Sequence, residues 1–140
     1  VARMLFPRGE STDSRRENRR EPRYKTNLVA RVVAEDGAVV TARLTNISSR
    51  GLQLRGDHRL LQTLMPNRVP RRSIDAIAFN VSFDVPTTQV AAAPIGIRCQ
   101  LVYSRRVAQN AFVVGCQFLA FENNCDLALL DFISHFAEQE

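Results

Sequence analysis

Two short stretches of the chain hold side chains whose types and spacing suit ligand chemistry. Arg19-Arg20-Glu21-Pro22-Arg23 is an RxxxR with a third arginine inside it, and Asn46-Ile47-Ser48-Ser49-Arg50-Gly51 is a [D/N]xSxxG. An arginine guanidinium is a flat fork of donors that matches phosphate oxygens and the O6/N7 edge of guanine. Arg19 and Arg23, four apart, can flank one anionic ligand while Pro22 restricts the chain between them. In the second stretch Asn46 can accept from the N–H groups of a base, and Ser48 can bond a base or a nearby backbone group. Gly51 permits a positive φ and a close backbone approach. Each stretch alone has a plain reading, a solvated basic arm and an Asx- or Ser-stabilised turn. Their occurrence together, in this order, points to a ligand.

The charge distribution agrees. The net charge of +5 lies wholly in residues 1–31, with eight Arg and one Lys against four acids, and residues 32–140 are neutral. Eighteen of the nineteen basic residues are Arg, Lys25 being the exception. An anionic partner is therefore to be sought near the N-terminal arm. Other chemistry lacks support. There is no GxSxG elbow, HExxH or P-loop, so no catalytic residue is assigned and the chain is not read as an enzyme. His58 and His135 have no second ligand at metal spacing, so no metal site is assigned. Cys99, Cys116 and Cys125 are odd in number and form no CxxC, which reads as reduced structural thiols. Apolar stretches fall short of the roughly 18 residues of a membrane span, and Val1 to Gly9 contains no apolar signal core, so a cytoplasmic address is expected.

The elements that must position the two stretches follow from periodicity. At 140 residues one domain is expected. Residues 1–26 are charged, contain Pro7, Gly9 and Pro22, and read as a flexible basic arm; residues 27–140 read as the folded body. Leu28, Ala30, Val32 and Ala34 alternate with polar or outward residues, Asp36-Gly37 signals a hairpin, and Val40, Ala42 and Leu44 continue the pattern. Leu52 and Leu54 begin a third strand after the turn. Residues 57–73, with Pro66, Pro70 and the arginines 68, 71 and 72, read as a loop with a short helical turn. Ile77 to Phe83, Ile97 to Tyr103 and Phe112 to Phe118 supply three more strands, the last two joined near residues 104–110. Six short strands with turn-rich connections predict a mainly β fold, an antiparallel β-barrel. Leu129, Phe132, Ile133 and Phe136 then form a helical stripe, with Asn124 as N-cap, on a C-terminal α-helix packed on the barrel.

With the motif pair, the barrel pattern and the closing helix in view, the chain from about Arg15 to Phe136 resembles the PilZ domain family, whose members bind the bacterial second messenger cyclic di-GMP. Gly115-Cys116-Gln117-Phe118 looks like that family's late glycine-aromatic strand. The resemblance implies that Arg19 and Arg23 take the two defining arginine positions, with Arg20 as an added phosphate contact and Asn46, Ser48 and Gly51 as barrel-side contacts. It also makes Tyr103 a candidate for base stacking. Asn18 stands where relatives often carry another Arg.

The expected function is thus a bacterial receptor that takes up cyclic di-GMP between the arginine arm and the barrel turn and switches a surface facing a protein partner of unspecified identity. A homo-oligomer is left open. The alternative is a protein–protein adaptor of the same architecture that does not bind nucleotide. Nucleic-acid binding by the arm is weaker, because aromatic residues are sparse among its charges, Phe6 and Tyr24 alone.

Overall fold

The computed structural model describes residues 22–65 and 77–140. Seven strands, β1 (Tyr24–Ala34), β2 (Val39–Ile47), β3 (Gly51–Gly56), β4 (Ala78–Val85), β5 (Ala93–Ala108), β6 (Ala111–Phe121) and β7 (Glu138–Gln139), are joined by helix α1 (His58–Leu64) and helix α2 (Asp126–His135). The sheet runs β2-β3-β6-β5-β4-β1, and β1 also pairs with β2, which closes it into a six-stranded antiparallel barrel. Closure removes the open edges that a flat sheet of this size would present.

The period-two pattern explains the interior. Ala30, Val32, Leu44, Leu54, Val81 and Ile97 are all inaccessible to solvent, and Phe79, Ile95 and Leu101 nearly so. Burying a side chain of the Val, Leu, Ile or Phe class stabilises the fold by about 1.5–3 kcal/mol relative to exposure. The β1–β2 hairpin turns at Gly37, whose φ of 92° is the positive value expected of a tight turn. Helix α1 lies in the segment expected to be mostly loop. Asp57 caps it, its carboxylate accepting from Arg59 N at 2.9 Å, and it buries Leu60 and Leu64.

Helix α2 buries Leu129, Phe132 and Ile133 in the same core, against β4 and β5. Two expectations for it need correction. Asn124 is not the N-cap: Asn123 and Asn124 adopt left-handed φ values of 52° and 57°, and Cys125 occupies the cap position without a side-chain bond to the helix. Asparagine tolerates that region, and here the pair turns the chain from β6 into the helix. Phe136 is not buried either; it lies past the helix end, exposed and stacked on Phe132 with ring centroids 6.4 Å apart.

The two ends of the described fold meet. β1 begins at Tyr24, within the stretch read as arm, and pairs there with β7 through Tyr24↔Gln139 and Lys25↔Glu138. Glu140 N donates to Arg23 O at 2.8 Å. Arg23 thus stands at the edge of the barrel, fixed by a backbone bond. Arg19 and Arg20, with the rest of residues 1–21, lie outside the described residues.

Candidate ligand-binding site

The turn between β2 and β3 is built by its own side chains. Ser48 N donates to Gly51 O at 2.8 Å, and Ser48 Oγ accepts from Arg50 N at 3.3 Å and lies 3.4 Å from Gly51 O. These bonds hold Ser48 almost wholly buried. Gly51 answers to a different constraint from the one expected, because its φ is not positive; Gly37 alone of the described glycines has a positive φ. A Cβ on Gly51 would come within 2.0 Å of the carbonyl oxygen of Cys116. Glycine is required there for close approach of β3 to β6, reinforced by Phe118 N donating to Arg50 O at 2.8 Å.

One transverse row of residues crosses the barrel beside this turn. Lys25, Asn46, Gln53, Gly115 and Tyr103 are successive register partners on β1, β2, β3, β6 and β5. Arg23 Nη1 donates to Asn46 Oδ1 at 3.1 Å, Asn46 Nδ2 to Gln53 Oε1 at 3.1 Å, and Gln53 Nε2 to the Tyr103 hydroxyl at 2.9 Å. Thr45 Oγ1 also donates to Gln53 Oε1, at 3.0 Å. Gly115 leaves the gap that Tyr103 fills: a Cβ there would lie 2.1 Å from the ring. Tyr103 does not stand near a strand end as expected, since β5 continues to Ala108.

Above the row is an open depression of about 240 Å³, lined among others by Arg23, Arg50, Ser48, Gly51, Tyr103 and Gln117. Two arginines line it, and its described lining contains no carboxylate. Cys116 forms part of the floor. A hydrogen bond with Cys99, and then burial, hold its thiol well above the ordinary range, so it brings no negative charge to the site at neutral pH. A larger depression of about 610 Å³ between the β1–β2 hairpin and α1 is lined by Asp36, Asp57 and Arg59, of mixed sign, and includes none of the motif residues.

The structure therefore brings Arg23, Asn46, Ser48, Gly51 and Tyr103 to one edge of the barrel. Asn46 and Ser48 are buried and bonded to protein groups, while Arg23 and Tyr103 are exposed. Gln53 has no motif of its own, and only the β2–β3–β6–β5 register reveals its place. The barrel and the position of this turn at its rim agree with the sequence match over residues 17–134 to the PilZ domain. The chain belongs to the PilZ domain family. That family comprises receptors for cyclic di-GMP, typically without catalytic activity. No curated protein matches the chain in sequence.

Among solved structures, this PilZ domain is similar in fold to the Bacillus subtilis inhibitor of motility MotI/DgrA. The TM-score is 0.55 at 12% identity, over 79% of this chain and 46% of that one. It is also similar to Borreliella burgdorferi PlzA in complex with c-di-GMP, with a TM-score of 0.52 at 12% identity, over 78% of this chain and 48% of that one. The chain thus spans about half the length of either. No helix among the described residues is long and apolar enough to cross a membrane.

Proposed function

We propose that this PilZ domain is a cytoplasmic receptor for cyclic di-GMP, binding the dinucleotide between the arginines of the arm and the barrel rim without reacting it. The observation that carries this reading is Arg23 itself, anchored on Asn46 at the mouth of a cationic depression. A guanidinium has five donors, and the bond to Asn46 uses one, which leaves the fork available to a phosphate or a guanine edge. Arg19 and Arg20 supply the remaining cations. Ser48 and Gly51 act here mainly by shaping the rim, and Tyr103 offers its ring as a base platform. PlzA, whose structure contains c-di-GMP, supports the same assignment through a shared fold. Capture of the ligand by the arm changes the surface that a protein partner meets.

A second reading has one observation in its favour. Asn46 and Ser48 are already satisfied by protein groups, as they would be in an adaptor that keeps the turn and has no ligand. Calorimetric titration of the full chain with cyclic di-GMP separates the two. The receptor binds at micromolar concentration or tighter, and Arg19→Ala and Arg23→Ala each weaken binding at least tenfold, as loss of charge-assisted bonds requires. No heat at high micromolar protein would sink the receptor reading and leave the adaptor as the alternative.

A further inference from the structure

The direction of every hydrogen bond in the row from Arg23 to Tyr103 is decided at one end. Arginine has no acceptor, so Asn46 must turn Oδ1 toward it, which aims Nδ2 at Gln53. Gln53 must then present Oε1 to Asn46, where the Thr45 hydroxyl also donates, and this aims Nε2 at Tyr103. The phenol oxygen therefore accepts from Gln53. Its own proton is left pointing away from the row, on a ring 37% exposed that lines the depression. Bonds aligned head to tail from a cation polarise one another in the same sense, which strengthens the outermost donor.

Resting on the receptor reading, we propose that the Tyr103 hydroxyl is a hydrogen-bond donor to an acceptor atom of the bound dinucleotide, with Gln53 as the positioning residue that orients it. Tyr103 then contributes a polar contact besides its ring face, and Gln53 acts on affinity without touching the ligand. The same row links the arm to that contact, because whatever displaces Arg23 from Asn46 alters the pull on Gln53.

Two substitutions and their combination test this in the full chain by titration with cyclic di-GMP. Tyr103→Phe keeps the ring and removes the donor, and should weaken binding about tenfold. Gln53→Glu replaces the Nε2 donor with an acceptor, which draws the phenol proton inward; it should weaken binding by a similar factor plus the effect of the added charge. That charge effect is what Gln53→Glu costs in the Tyr103→Phe background. The donor role requires the loss from Gln53→Glu to be at least fivefold smaller in that background than in the wild type. A purely structural role for Gln53 would give equal losses, with matching drops in melting temperature. Equal losses, or a Tyr103→Phe variant that binds like the wild type, overturn the assignment while leaving the receptor reading intact. Absence of wild-type binding overturns both.

Discussion

Gly51 and Gly115 face each other's strands in one ladder, yet the same substitution at each should have very different results. A Cβ on Gly51 would sit 2.0 Å from a backbone oxygen, that of Cys116, with the Cys116 carbonyl carbon at 3.0 Å. A carbon needs about 3.5 Å there, so β3 and β6 must part by about 1.5 Å in Gly51→Ala. The Phe118 N to Arg50 O bond, 2.8 Å long and spanning the same gap, does not survive that movement. Overpacking costs about 1–3 kcal/mol and an orphaned backbone group about 1–3 kcal/mol more, so Gly51→Ala is expected to lose about 3 kcal/mol. In Gly115→Ala the three atoms nearest the new methyl all belong to the Tyr103 ring, the first at 2.1 Å, and that ring can swing toward solvent. The cost is the Gln53–Tyr103 bond, about 1 kcal/mol, offset by about 0.5–1 kcal/mol for removing glycine's backbone entropy. Equilibrium urea unfolding and thermal melting, each followed by far-UV circular dichroism, measure both. Gly51→Ala should melt roughly 10 °C lower and Gly115→Ala within a few degrees of wild type. A Gly51→Ala variant within 1 kcal/mol of wild type, or two variants equally destabilised, would refute the distinction between backbone and side-chain obstruction.

Other outcomes concern α2. Leu129, inaccessible in the core, should cost about 2–5 kcal/mol on Leu129→Ala, read from the same urea transition with an unchanged slope. Asp126 begins the helix with both carboxylate oxygens buried and without a hydrogen-bond partner among the described residues. Asp126→Ala lifts a desolvation penalty of about 1–3 kcal/mol and forfeits about 0.3–1 kcal/mol of interaction with the helix N-terminus, so stability should rise; a melting temperature lowered by several degrees would contradict this. Asp131 accepts from Thr88 Oγ1 at 2.6 Å and Thr88 N at 2.9 Å, bonds that hold its carboxyl below the usual range. A depressed carboxyl stabilises the fold above its unfolded pKa and loses that effect as pH falls through the folded one. The stability advantage of wild type over Asp131→Asn should therefore be full at neutral pH and vanish under acid conditions; a difference independent of pH would argue against it.

The barrel could be read from alternation because each strand buries one face, and the stripe at Leu129, Phe132 and Ile133 announced α2 for the same reason. Arg23 and the Asn46–Gly51 turn were legible because their chemistry is local. What escaped reading depends on partners distant in sequence. Gln53 is one polar residue on a strand until β2, β3, β6 and β5 set it between Asn46 and Tyr103, and the register is irregular between Leu101 and Tyr103. Glu138–Gln139 has no apolar period and becomes a strand only because Tyr24–Lys25 offers a free edge. Asn124 resembles a cap in sequence, but the chain reverses through two left-handed asparagines before the helix begins.

The pairing of β7 with the start of β1 also offers a place for an optical reporter. The backbone of Glu140 lies one strand spacing, about 5 Å, from that of Arg23, which makes the Glu140 side chain a place to attach a fluorophore beside the arginine's strand. Its emission is expected to report changes at the arginine without any label on the arm or the ligand.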